Sequence, residues 1–370
     1  MSPWSAACPG LPVPEIDTPA LILDLDAFER NMAVMSTAVL GSGMRLRPHA
    51  KSHKTPEIAR RQIAAGAVGI CCQKVSEAAV FVDAGINDVL VTNQIVGAPK
   101  LERLAELAQR ARMGVLVDDP EQVRALAAAL DRAGAHMDVY IELNVGGRCG
   151  VPVGDALYDL ARTIAGAPVL NFAGLQVYHG PAQHVRDPGE RATAIRHATD
   201  QARAARAMLE SLGLQCPLIT GAGTGTFRHE RDSGVWGELQ PGSYIFMDRD
   251  YADNLSAEDD IRFEHALFVL TTVMSRFQPT RAIVDAGLKA SSVDSGMPAV
   301  WQRPDLSYLK ASDEHGVITI DPSAELALGD KLLLVPGHCD PTVNLYDELV
   351  VVRGGVVEAV WPISARGATL

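Results

Sequence analysis

A lysine set among histidines is the first feature of this chain that could do chemistry: Arg47-Pro48-His49-Ala50-Lys51-Ser52-His53-Lys54. Met44 and Leu46 alternate with polar neighbours as half-buried strand residues do, and Thr55-Pro56 then opens a helix with Glu57 in its first turn. Lys51 is therefore expected at the C-terminal mouth of a strand, where α/β proteins keep their sites. Its cationic or potentially cationic neighbours, Arg47, His49, His53 and Lys54, would disfavour the ammonium form and expose a nucleophilic amine. A basic surface turn is the competing reading of the same residues.

Three further clusters sit where strands end. Val145-Gly146-Gly147-Arg148-Cys149-Gly150 would let backbone approach a ligand while Arg148 reaches an oxyanion, although a tight loop with a solvent-facing arginine has the same composition. Ile219-Thr220-Gly221-Ala222-Gly223-Thr224-Gly225-Thr226 exposes successive N–H groups and hydroxyls that could ring a phosphate, a reading favoured over a plain flexible turn. In Pro336-Gly337-His338-Cys339-Asp340-Pro341, an extended backbone would turn His338 and Asp340 to one face and Cys339 to the other. One imidazole and one carboxylate suit a divalent metal with open positions, and a buried histidine beside a turn aspartate is the alternative.

The elements that must position these clusters follow from the hydrophobic pattern. The apolar run 20–25 predicts a strand, and Phe28, Met32 and Met35 recur at helical spacing after it. The alternation then repeats through strands ending at Lys51 and near 69–72, 88–91, 114–117, 139–143, 174–178 and 218–220, separated by helices near 56–66, 75–84, 98–110, 120–133, 153–166 and 188–212. Short apolar strands joined by single amphipathic helices are the mark of buried parallel strands with crossovers. Counted from Ala20, with 239–246 as the last, about eight strands predict a (β/α)₈ barrel over residues 18–256. No Gly-x-Gly-x-x-Gly follows the first strand, which removes the dinucleotide fold's usual signature. Beyond 256 the strands 266–274, 281–285, 316–320, 331–335 and 349–357 lack long helices between them, which predicts an α/β chain with a C-terminal all-β domain, 257–370 joined by residues 1–17.

Composition bounds the function. The chain has 370 residues, 47% of them hydrophobic, and a formal net charge of -12, which works against nucleic acid and anionic membrane and points to a small-molecule partner. No apolar run approaches the ~20 residues that span a bilayer, and Met1-Ser2-Pro3-Trp4-Ser5 lacks the blocks of a signal peptide, so a cytoplasmic location is expected. Six cysteines without a Cys-x-x-Cys pair indicate neither a zinc ribbon nor a disulfide framework.

Taken with Leu175-Gln176-Val177-Tyr178-His179-Gly180, Glu238-Leu239-Gln240-Pro241-Gly242-Ser243-Tyr244 and Asp313-Glu314-His315-Gly316, these clusters form seven separated motifs. In their order they resemble the D-threonine aldolase and D-serine dehydratase family from residue 17 to about 366, whose members are alanine racemase-like pyridoxal 5'-phosphate (PLP) enzymes, usually dimers. The resemblance implies that Lys51 is the Schiff-base lysine. It implies that Arg148 lies near the cofactor's 3-hydroxyl, Tyr178 at its ring, and Thr220, Gly223 and Thr224 in the phosphate loop. Tyr244 closes the cofactor site, and Gln73 is a weaker contact. His338 and Asp340 become the metal pair, for Mn²⁺, Mg²⁺ or Co²⁺ ahead of Zn²⁺, with Asp313 and His315 on a facing loop. His53, His179 or a metal-bound water is implied as the base. The implied reaction cleaves a D-3-hydroxy amino acid to glycine and an aldehyde. A 3-hydroxy-D-aspartate aldolase and a dehydratase giving a 2-oxo acid and ammonia are the alternatives. The His-x-Asp triplet favours the aldolases, since the dehydratase branch resembles His-x-Cys with zinc. A racemase and a PLP carrier without activity fit the metal pair less well.

Overall fold

Short runs of aliphatic residues, each released by a helix whose start is fixed by proline or a capping carboxylate, build the first two thirds of the chain. Pro56, Pro120 and Pro188 occupy first helical turns, while Asp119 and Asp187 accept from the backbone N–H groups of Glu121 and Glu190. The computed structural model describes residues 5–256 and 260–370; residues 1–4, and the expected domain junction at 257–259, lie outside the described residues.

Eight parallel strands form one sheet: β2 (Arg45–Leu46), β3 (Ile70–Cys72), β4 (Asp88–Gln94), β5 (Arg112–Val117), β6 (Met137–Glu142), β7 (Leu170–Val177), β8 (Ile219–Gly221) and β9 (Glu238–Leu239). Their order runs from β3 through β4 to β9 and then to β2, and a parallel bridge between His49 and Cys71 joins β2 back to β3 and closes the ring. The closing bridge lies immediately before Lys51. A nine-stranded sheet holds β1 (Ala20–Asp24), β10 (Leu267–Gln278), β11 (Arg281–Val284), β12 (Ala299–Val300), β13 (Leu306–Ala311), β14 (Gly316–Ile320), β15 (Lys331–Val335), β16 (Glu348–Arg353) and β17 (Val356–Pro362).

Three expectations are corrected. The strand counted first in the barrel, β1, belongs to the other sheet, antiparallel to β10 and parallel to β16. Leu21 and Leu23 enter the main core while Ala20 and Ile22 enter a second one, so the run is apolar on both faces and reads like a barrel strand. The stretch 239–246 is strand only through Leu239; Pro241 and Gly242 break it, and a 3₁₀ turn, Ser243–Ile245, follows. The run 349–357 is divided between the two arms of a hairpin, β16 and β17, because Gly354 and Gly355 both take positive φ, 57° and 81°, between them.

The barrel interior beneath the site is charged. Arg47, 2% exposed, donates to Asp88 Oδ1 (2.6 Å) and Glu238 Oε1 (3.0 Å). Glu238 also accepts from Thr220 Oγ1 (2.9 Å), and Gln240 links Thr220 (2.7 Å) to Gln176 (3.0 Å). Glu238 Oε2 also pairs with Arg45 Nη2 (3.0 Å), so losing Glu238 takes one of two counter-charges from the deeply buried Arg47, whereas losing Arg47 as well leaves unmatched charge only at the partly exposed Arg45 and Asp88. Glu238→Leu should therefore lower the unfolding free energy by about 3 kcal/mol, and Arg47→Met/Glu238→Leu should recover most of that loss. Urea denaturation of the three proteins checks this; equal losses in the single and double variants would contradict it.

Candidate functional site

Lys51 follows β2 in a 3₁₀ turn, Ala50–Ser52, entered through His49, whose Nδ1 accepts the Lys51 backbone N–H at 3.3 Å. That bond leaves the proton of the neutral ring on Nε2, which donates to Thr92 Oγ1 (2.9 Å), while the Thr92 hydroxyl donates onward to Cys72 O (3.1 Å). Gln73 Nε2 donates to the same hydroxyl at 3.2 Å. His49, Gln73 and Thr92 thus form one wall of a cavity of about 160 Å³ at the C-terminal mouth of the barrel, into which Lys51 projects.

Among the described residues, the cations expected to crowd Lys51 are directed elsewhere. Arg47 points down to Glu238 and Asp88, and Lys54, held at φ 51°, gives its ammonium to Glu77. Burial keeps His49 well below the usual histidine range and pushes His53 down to about 3. Burial also pushes the Lys51 ammonium down, but Asp340 Oδ2, 3.7 Å away, and Tyr178 outweigh it and the net direction is upward.

The rest of the lining supplies anion-binding groups. Arg148 lines the cavity, held by Thr92 O (3.3 Å) and Asn93 Oδ1 (3.4 Å), and Tyr178 stands beside it, its phenol raised by burial. Gly223 and Thr224 line the same space. A Cβ at Gly223 would lie 2.4 Å from Gln183 Oε1, so a side chain there would have to displace an amide that already accepts from Gly225 N (3.0 Å), and Ala222 before it is held at φ 73°. The buried Thr224 hydroxyl has no partner among the described residues, as expected of a group that waits for a phosphate oxygen. Thr220 does not reach the cavity: it is sealed beneath, between Glu238 and Gln240. Tyr244 is also corrected, since its hydroxyl accepts from Gln62 Nε2 (3.1 Å) in the core while Gly242 and Ser243 face the cavity.

His338 and Asp340 both line the cavity, though not through extended backbone. His338 is extended (φ -144°, ψ 126°), and a short helix, Cys339–Val343, begins after it, which turns Cys339 into the interior. His338 Nδ1 faces Asp294 Oδ2 at 2.9 Å, which leaves Nε2 free of that bond, and Asp340 Oδ1 is buried without a hydrogen-bond partner among the described residues. An orphaned carboxylate oxygen beside an oriented imidazole fits a divalent metal. Among the described residues no group of three or more histidines, cysteines and carboxylates is placed to hold a metal. Asp313 and His315 are exposed in the turn between β13 and β14 and do not line this cavity.

Neither histidine expected as a base is in place. His53 is fully buried against Phe81, its Nδ1 accepting from Thr55 N (3.1 Å), and His179 accepts from Ala182 N (3.1 Å) and packs on Gly146. The cavity instead receives His184, from the turn Pro181–His184 after β7, with its Nδ1 2.5 Å from Asp250 Oδ2. A histidine six residues beyond Tyr178 on the same strand-end loop was the available signal; its aspartate lies 66 residues away and gave none. Leu116, Ala222, Tyr251, Glu142, Gln176 and Gln240 complete the lining.

A parallel barrel carrying a lysine at its mouth, with a loop of the antiparallel sheet facing that lysine, defines a class. The alanine racemase N-terminal domain family matches residues 23–250, and a serine dehydratase domain matches 266–352. D-threonine aldolase of Arthrobacter sp. is 49% identical over 98% of this chain and 96% of its own. 3-Hydroxy-D-aspartate aldolase of Paracoccus denitrificans is 47% identical over 98% and 95%. The crystal structure of D-threonine aldolase from Filomicrobium marinum superposes with a TM-score of 0.97 at 53% identity, covering 99% of this chain and 100% of that one. The chain belongs to the alanine racemase-like family and, within it, to the D-threonine aldolase and D-serine dehydratase group.

The buried His53 makes a pH prediction. Its pKa of about 3 lies below the ~6.5 of an unfolded histidine, so the unfolded chain binds the proton first. Stability owed to neutral His53 is complete above about 6.5 and is lost as pH falls toward 3. His53→Gln should lose less melting temperature than the parent between pH 6.5 and 4 in calorimetric scans; parallel losses would contradict the assignment.

Proposed function

We propose that this protein is a PLP- and divalent-metal-dependent aldolase that cleaves D-3-hydroxy amino acids to glycine and an aldehyde. The observation that carries the reading is the 3.7 Å approach of Lys51 Nζ to Asp340 Oδ2 across one cavity, with the partnerless Thr224 hydroxyl and Arg148 on its wall. Lys51, Thr224, Gly223, Arg148 and Tyr178 fit PLP, and His338 with Asp340 fits the metal; bound there, PLP withdraws electrons from the substrate's α-carbon and the metal acts as a Lewis acid toward its 3-oxygen.

The chain's own groups account for the rest. Lys51 would hold the cofactor and, as an ammonium on the cavity wall, would supply the proton that the α-carbon gains when the Cα–Cβ bond has broken. Arg148 and Thr224 fix the cofactor's orientation by charge and hydroxyl contact. His184, its Nδ1–H turned to Asp250, offers Nε2 as the acceptor for the 3-hydroxyl proton, which is the proton that must leave for the Cα–Cβ bond to break. The oxygen and imidazole donors of Asp340 and His338 are hard to borderline and favour Mn²⁺, Mg²⁺ or Co²⁺.

Purified enzyme with D-threonine should release glycine and acetaldehyde, and ammonia with a 2-oxo acid as main products would sink the proposal. Lys51→Ala should lose the visible cofactor band and fall about 10³-fold or more in kcat, while Lys54→Ala keeps the band. After chelation Mn²⁺ should restore the parent but not Asp340→Ala; full rescue of that variant would remove Asp340 from the metal site.

A further inference from the structure

Among the described residues, Asp250 is the one carboxylate that joins His184 to a second, permanently charged group. It is 6% exposed; Oδ2 meets His184 Nδ1 at 2.5 Å and Oδ1 accepts from Arg186 Nη2 at 2.5 Å. Arg186 also donates to the Asp250 carbonyl oxygen and to Asn254 Oδ1 (2.7 Å), so its planar fork grips Asp250 at backbone and side chain together. The Asp250 backbone N–H in turn donates to Gly337 O (3.2 Å), the residue before His338.

We propose that Asp250, latched by Arg186, is a positioning residue that sets the tautomer and aim of His184. This rests on the aldolase reading of the cavity. An ionised carboxylate only accepts, so the proton of the neutral imidazole resides on Nδ1 and Nε2 keeps a lone pair for the cavity. The Asp250 carboxylate, gripped by the Arg186 guanidinium, lies where it offsets the positive charge that His184 acquires when it takes a proton. His184 is nearly half exposed toward the cavity, and without the latch its ring would be free to rotate about χ1 and χ2. The charged and titratable groups around the ring are Asp250 and Tyr251 from the helix Arg249–Ala252, Arg186 from the following loop, and Lys51, Tyr178, Glu142, Arg148, His338 and Asp340 across the cavity. The last two follow Gly337, whose carbonyl accepts the Asp250 backbone N–H, so the helix that carries the partner of His184 is tied through its main chain to the loop that carries His338 and Asp340.

Asp250→Asn in the loaded enzyme tests this, with His184→Asn and Arg186→Lys beside it. Expected for Asp250→Asn are a kcat about 10²–10⁴-fold lower, a KM for D-threonine and a visible band unchanged within about twofold, and an acid limb of the kcat–pH profile displaced to lower pH. Arg186→Lys keeps the charge without the fork and should lose less. A far-downfield imidazole N–H proton in the NMR spectrum should be present in the parent and absent from both Asp250→Asn and His184→Asn. Its persistence in Asp250→Asn, or a kcat and profile equal to the parent's, overturns the proposal. A parent that shows this proton but releases no glycine from any D-3-hydroxy amino acid supports the pair and overturns the aldolase reading alone.

Discussion

One buried carboxylate holds the two halves of the site at a fixed distance. Asp248 is fully buried, and its two oxygens accept from different helices: Oδ1 from Tyr251 N at 3.0 Å, Oδ2 from Cys339 N at 2.9 Å. The first helix carries Asp250, which faces His184, and the second carries Asp340, which faces Lys51. Both helices are short, with N–H groups at their starts that no intrahelical carbonyl satisfies, so a shared cap fixes them more firmly than their own ladders. Further main-chain bonds, from Arg249 N to Pro336 O and from Asp250 N to Gly337 O, repeat the connection. Chemistry divided between a barrel and a second sheet is sensitive to sub-ångström displacement, and this joint is where that displacement is resisted.

Below the joint, the barrel floor is polar where layers of branched aliphatics are the rule. The chain of contacts from Arg47 through Glu238, Thr220 and Gln240 to Gln176 ends at the cavity lining, so the same network that fills the barrel orients two amides toward the cavity. Such a network is rigid only when every member is satisfied, and this one leaves few groups unpaired. The orphaned atoms near the cavity, Thr224 Oγ1 and Asp340 Oδ1, are of another kind: each belongs to a residue that fits a group the protein would bind.

Period and apolar pattern were enough to read the crossover units and most strands of the second sheet, since β14 and β15 coincide with the runs 316–320 and 331–335. Pattern could not separate β1 from a barrel strand, because burial on both faces looks alike in either sheet. Lys51, Gln73, Arg148, Tyr178, Gly223, Thr224, His338 and Asp340 all line one cavity, each lying in a local run with its own turn chemistry. Thr220, Tyr244, His53 and His179 come from the same runs but face elsewhere, for a motif gives the neighbourhood of a side chain and not its direction. Asp248 and Asp250 were invisible for a simpler reason: their partners are brought together by the fold across 66 to 91 residues of chain.

If the proposed function holds, a divalent metal held by His338 and Asp340 would act as the Lewis acid for the substrate's 3-hydroxyl. Electron paramagnetic resonance of the Mn²⁺-loaded His184→Asn variant, which should retain uncleaved substrate, tests it with D-threonine labelled with ¹⁷O at the 3-hydroxyl. Broadening of the Mn²⁺ lines relative to unlabelled D-threonine is the predicted result. Identical spectra with the binding site saturated would contradict the account.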